Sequence, residues 1–187
     1  MNPTQTDVEI RRMRQGDQEA VMTFARALPP HDLLFLPRDI THPKVVNAWV
    51  DEIGRGALTS LLAMRGETVV GNATIVRDPL SWSAHVAELR VVLLPTERGA
   101  GLGRRLTLDA FNLAVDMGIE KIVAQMTADQ SAAIAVFETM GYRAEALLRD
   151  HVKGRDGEKH DLVILSYDVE QAQVKADAYG LSEPFNA

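Results

Sequence analysis

Val91-Val92-Leu93-Leu94-Pro95-Thr96-Glu97-Arg98-Gly99-Ala100-Gly101-Leu102-Gly103-Arg104-Arg105-Leu106 is the stretch whose reading decides the fold. It reads as an apolar strand, a short turn with alternating glycines, and the opening of an amphipathic helix. Glycine lets backbone come close to an anion, the N–H groups of the turn can converge on it, and the helix start adds its positive dipole end. The segment is predicted to cradle a phosphate, and the ligand to be a cofactor held by its pyrophosphate. Arg98, Arg104 and Arg105 can add charge-assisted contacts. Leu102, Leu106, Ala110, Leu113 and Met117 recur at helical spacing and would pack on a sheet, holding the first turn still around the anion.

Two common phosphate loops do not fit. A Walker A loop needs Lys and then Ser or Thr after its last glycine, where Arg104-Arg105 stands; a dinucleotide fingerprint counted from Gly99 would end on Arg104 rather than glycine. Arg98-x-x-Gly101-x-Gly103, directly after a strand carrying Pro95, instead resembles the acyl-CoA pyrophosphate loop of the GCN5-related N-acetyltransferase (GNAT) superfamily. A second segment agrees with it in order and distance. Asp129-Gln130-Ser131-Ala132-Ala133-Ile134-Ala135-Val136-Phe137-Glu138-Thr139-Met140-Gly141-Tyr142 resembles the family segment in which a helix opens near Asn and ends in an aromatic residue and a Gly-aromatic pair.

The resemblance spans roughly residues 7 to 169 and is strongest from 84 to 142. It implies an α/β (α+β) fold with a GNAT-type mixed, mostly antiparallel central sheet and helices on both faces. It also implies one acyltransferase domain over residues 1–169, followed by a tail over 170–187. The activity it implies is transfer of an acetyl group from acetyl-CoA, as cosubstrate, to a primary amine by direct attack on the thioester. Backbone groups of Val91, Val92 and Leu93 would align the acyl arm, and one N–H there would meet the developing oxyanion. Further cofactor contacts carry over to Arg98, Gly99, Ala100, Gly101, Leu102, Gly103 and Arg104, and to Gln130 and Phe137. Two positions depart from the family pattern: Phe137 stands where many relatives have a Tyr acting as general acid, and Gln130 where Asn is common. A thiol of ordinary acidity, about 8.5, can still leave largely as thiolate.

An ammonium must lose a proton before it attacks, so a carboxylate, His or water relay is needed. Glu88 is the first candidate for that base, because an acidic residue in an apolar strand needs a reason to be there; an ion pair with Arg90 is the competing reason. His85 reads more simply as an exposed turn residue. His151, His160 and Asp161 surround the last hairpin, where the family often shapes its acceptor pocket; Tyr142 is a candidate substitute proton donor that reads more simply, at its Gly-aromatic position, as a packed ring. The loop Leu28 to Asp39 suits a wall or lid, an ordinary packed loop or a homodimer contact equally well.

The remaining elements alternate. Strands are predicted over Val8–Met13, Ala57–Met64, Thr68–Arg77 and Ala84–Leu94, then from Ile119, over Tyr142–Leu148 and over His160–Tyr167. Helices are predicted over Asp17–Leu28, Pro43–Gly54 and Gly101–Met117, from Asp129, and in the tail over Gln171–Ala178. With 187 residues the chain can build one domain with a sizeable core. It has no cysteine, which excludes disulfides, thiolate nucleophiles and cysteine metal sites, and no metal site is expected. Its net charge of −6 weighs against nucleic-acid binding and leaves room for a cationic amine substrate; the resemblance implies a small-molecule or peptide amine as acceptor. Arg11, Arg12 and Arg14 read as a solvated strand end. Neither a signal peptide nor a bilayer-spanning run is visible, so no membrane partner is expected and cytoplasmic residence is the default. Three functions stay open: an N-acetyltransferase, an acetyl-CoA sensor without turnover, and a dimerising scaffold, against which the intact glycine loop argues.

Overall fold

A computed structural model describes residues 8–34, 36, 38–170 and 172. Residues 1–7 and most of the predicted tail, with its helix from Gln171 to Ala178, lie outside the described residues. Seven strands form one sheet: β1 (Glu9–Arg12), β2 (Leu58–Arg65), β3 (Thr68–Val76), β4 (Val86–Leu93), β5 (Lys121–Thr127), β6 (Arg143–Lys153) and β7 (Lys159–Asp168), in the order β1-β2-β3-β4-β5-β7-β6. All neighbours are antiparallel except β4 and β5. Among the described residues, the α-helices α1 (Gln18–Ala27), α2 (Pro43–Gly54), α3 (Leu102–Asp116) and α4 (Ser131–Thr139) cover both faces. This is the mixed, mostly antiparallel sheet that the resemblance implies.

The period of two along each strand sorts the core into halves. Leu61 and Ala63 of β2, Ala73 and Ile75 of β3, and Ala87 and Leu89 of β4 pack with Leu102, Leu106, Ala110 and Ala114 of α3 and with Phe137 of α4. On the other face, Leu58, Leu62 and Met64 of β2 and Val92 of β4 pack with Val21, Phe24 and Ala25 of α1 and Val46 and Trp49 of α2. Val70 is the extra residue of a bulge, since Ala63 pairs with Gly71 while Met64 pairs with Val69. Arg11 is not a solvated strand end: its guanidinium grips Asp17 through two 2.8 Å hydrogen bonds, and Asp17 also accepts from the Arg14 N–H. These bonds tie the start of α1 to β1.

β4 and β5 position the candidate site. They pair only over Val86–Glu88 and Lys121–Val123 and then diverge. Past that point β4 keeps its partner β3, and β5 keeps its partner β7. The facing edges of Leu89–Leu93 and Ala124–Thr127 thus form no ladder with each other, and a backbone N–H or C=O away from water needs some other partner. A wedge between two such edges suits an extended, hydrogen-bonding ligand.

Candidate active site

The wedge opens into a cleft of about 570 Å³, lined by β4 residues Val91, Val92 and Leu93, by the loop before α3 and by α4. Gly99 at φ 78° and Gly101 at φ 83° lie in the left-handed region, which side chains disfavour, so the loop can turn its backbone inward. Gly101 is the N-cap of α3 and offers no side-chain cap, and the first described bond back to it comes from the Arg105 N–H. The N–H groups of Leu102, Gly103 and Arg104 are therefore without an intrahelical acceptor and sit at the positive end of a helix of 15 residues. Gly103 has a different reason. A Cβ there would stand 3.1 Å from Leu93 Cδ1, and one at Gly71 would stand 2.4 Å from Leu93 Cδ2. The two glycines let Leu93 seat between β3 and α3, which sets the loop against the end of β4.

Arg98, Gly99, Gly101, Gly103 and Arg104 line this cleft at one end, and Gln130 and Phe137 line it from α4. Leu102 turns its side chain into the core at 2 % exposure, leaving only its backbone to the loop, and Ala100 is not among the lining residues. Arg105 is directed elsewhere, donating to the carbonyl of Val8 at 3.1 Å. Arg98 bridges to Asp32 and also donates to the Leu93 carbonyl at 3.2 Å. The Phe137 ring is buried and meets Tyr142 edge to face at 4.9 Å. Tyr142 is a fully buried packed ring, and burial pushes its phenol up, so it offers no proton to the cleft.

Glu88 projects with Arg90 and Val92 from the β4 face that looks toward α1 and α2. Arg90 Nε and one terminal nitrogen hold both Glu88 carboxylate oxygens, at 2.8 and 2.7 Å. The base candidate thus sits in a fork-to-fork ion pair at the last paired position before the wedge opens. Asp161 accepts from the Asp150 N–H at 2.9 Å, where β6 is irregular and Asp150 takes φ 50°. That bond gives Asp161 a structural task. His85 and His151 are exposed.

One grouping was not assembled from the sequence. His31 and Asp32, consecutive in the turn after α1, reach opposite banks of the wedge: Asp32 joins Arg98, while His31 Nε2 lies 3.0 Å from Asp129 Oδ2 beyond β5. The Thr127 hydroxyl, with His31, holds the Asp129 carboxyl below the usual carboxylate range. His160 stacks edge-on to His31 at 5.0 Å, and the ligand atoms of His31, Asp129 and His160 all lie within 4.8 Å of one another, a set chemically able to hold a cation. His31 and Asp129 are 98 residues apart in sequence, which left no local signal.

Diverging parallel strands with an uncapped glycine loop at their mouth make an α/β architecture with a cleft open to an extended ligand. The chain belongs to the acetyltransferase (GNAT) family, whose profile matches residues 25–142. It is 32% identical over 148 residues to a mycothiol acetyltransferase of Catenulispora acidiphila, an alignment that takes in 75% of this chain and 45% of that protein. The chain spans half or less of the length of the curated relatives it matches. Among solved structures it is similar to a ribosomal-protein-alanine N-acetyltransferase from Brucella melitensis (TM-score 0.73, 22% identity, 86% of this chain and 99% of that one). It is also similar to a putative acetyltransferase from Salmonella typhimurium solved with its cofactor acetyl-CoA (TM-score 0.73, 20% identity, 87% and 94%). No helix among the described residues is long and apolar enough to cross a membrane.

Proposed function

We propose that this protein is an N-acetyltransferase that binds acetyl-CoA in the cleft and passes the acetyl group to a primary amine on a small molecule or peptide. The observation that carries this reading is the uncapped start of α3, with Gly99 and Gly101 at positive φ, at the mouth of the β4–β5 wedge. The residues present fit the cosubstrate: a backbone cradle and Arg104 for a pyrophosphate, unpaired strand edges for an amide-bearing arm, and the apolar wall of Val136 and Phe137 for the thioester end. Family membership and the acetyl-CoA held by the Salmonella relative support the same ligand. When bound, acetyl-CoA supplies an activated carbonyl open to attack by an amine.

The chain's own groups account for the rest. Backbone of Val91, Val92 and Leu93 aligns the acyl arm, and an N–H there stabilises negative charge on the carbonyl oxygen. Arg98 uses one terminal nitrogen for Asp32 and Leu93, and its other donors remain for phosphate oxygens. Glu88 anchors the route by which the amine loses its proton. Two of its lone-pair sites are taken by Arg90, so it holds a water or the ammonium through its remaining sites rather than acting as an unencumbered base. Phe137 gives an apolar ring and no proton, which leaves the thiol to depart as thiolate or to be protonated by solvent.

The test is calorimetry with acetyl-CoA, followed by thiol release with mixed primary amines and mass detection of the product. Saturable binding with amine-dependent release is expected. Binding without release under any amine would leave a sensor of acetyl-CoA, and no binding would overturn the proposal.

A further inference from the structure

A second cavity, of about 170 Å³, lies on the α1/α2 face of the sheet. It is bounded by Val45 and Trp49 of α2, Leu58 of β2, Asn72, Thr74 and Val76 of β3, and Arg90 of β4. Arg90 and Val92 share this face of β4, and Val92 also lines the acetyl-CoA cleft, so the two spaces approach each other along about 7 Å of strand. Glu88 stands on the same face, bound to Arg90.

What the cavity offers chemically is narrow. Trp49 Nε1 donates to Ser60 Oγ at 3.0 Å, Ser60 and Thr74 hydroxyls meet at 2.8 Å, Thr74 donates to Asn72 Oδ1 at 3.0 Å, and Asn72 donates to the Leu61 carbonyl at 3.1 Å. The polar floor satisfies itself. Each charged side chain among the described lining residues is already paired: Arg90 with Glu88, and Arg38 with Glu52 at 3.0 Å across the mouth. A guest carrying a second charge would meet only side chains whose charge is already offset by a neighbour, and a charge taken from water without a net counter-charge is strongly penalised. The remaining wall is apolar, from Leu36, Ile40, Val45, Trp49, Leu58 and Val76. A cavity of roughly 150 Å³ with apolar walls accepts benzene.

We propose that this cavity seats the body of the acceptor, and that the acceptor is a primary amine on a compact apolar body, phenyl-sized or branched alkyl, with no second charge. The proposal rests on the acetyl-transfer reading above and deepens it. The amine would lie at the β4 end, beside Glu88, with the apolar body against Trp49.

The test separates binding from turnover. Trp82 is fully exposed, so the Trp82→Phe protein keeps Trp49 as the only indole and as a fluorescent reporter inside the cavity. Titrated with phenethylamine in the absence of acetyl-CoA, it should give a saturable change in emission that Val45→Phe, filling the cavity, removes while leaving acetyl-CoA affinity unchanged. In the full reaction, phenethylamine and isoamylamine should exceed spermidine and leucine in kcat/KM by about 10- to 100-fold, the range that burying one large apolar group supports. Absence of a Trp49 response, or a response that Val45→Phe leaves intact, overturns the proposal. So does a preference for spermidine or for zwitterionic leucine, in which case acetyl transfer itself stands. A Trp49 response with no thiol release from any amine keeps the cavity as an amine site and overturns the acetyl-transfer reading instead.

Discussion

Glu88 shows how one residue can satisfy a structural and a chemical reading at once. Its carboxylate is held by both arms of the Arg90 fork, which fixes the side chain without using all its acceptor sites. If it anchors the proton route, Glu88→Gln should lower kcat by about 10²–10⁴-fold, the usual worth of general base catalysis, while acetyl-CoA affinity stays within twofold. The loss should ease as pH rises toward the range where free amine is abundant. Equal pH–rate profiles for the two proteins would make Glu88 a purely structural partner of Arg90. The ion pair was legible as an alternative because the residues are two apart on one strand and so share a face. The bridges from His31 to Asp129 and from Asp32 to Arg98 were not, because they join residues whose proximity exists only after the turn behind α1 crosses the wedge.

At the scale of elements, periodicity carried nearly everything. α2 runs from Pro43 to Gly54 as its proline start implies, and the other helices and strands expected within the described residues fall within a few residues of expectation. β6 is the larger departure, reaching Lys153 rather than Leu148. The longer strand is interrupted by an irregularity at Leu148–Val152 that no local pattern announces, and Asp161 of β7 supplies the hydrogen bond that holds it. Arg11 was misread for the same reason, since its partner Asp17 lies across the turn into α1. The Arg11 guanidinium, and then the Arg14 N–H, hold the Asp17 carboxyl below the usual carboxylate range. A folded-state pKa below the unfolded one contributes stability that is present above the ordinary carboxylate range and lost as pH falls through the lowered value. Asp17→Asn should therefore cost about 1–2 kcal/mol at pH 7, and the gap between the two proteins should close in denaturant melts carried out toward pH 3. A difference independent of pH would place the contribution in packing rather than charge.

Over the whole molecule the wedge explains why the fold suits its proposed ligand. The sheet is continuous only through three residue pairs between β4 and β5. The turn after α1 ties the two banks again through Asp32–Arg98 and His31–Asp129, and the cluster beneath α3 and α4 runs under both. A ligand that occupies the free edges should lock the halves together and stabilise the native state by mass action. At a hundredfold excess over Kd the gain is about 2.7 kcal/mol, which for a chain of this size raises Tm by about 5–10 °C. Gly101 is the position that separates binding from folding. Its φ of 83° is costly for any side chain, by about 1–2 kcal/mol, yet its place at the exposed N-cap keeps a large residue out of the core. Gly101→Trp should melt cooperatively a few degrees below the parent protein and show no upward shift with acetyl-CoA, because the indole would occupy the space of the pyrophosphate. The parent's shift should shrink as salt is raised, since the contacts from Arg98 and Arg104 are screened at the rim of the cleft. A folded Gly101→Trp protein that keeps the full ligand-induced rise in Tm would mean that the cofactor enters the wedge without using the glycine loop.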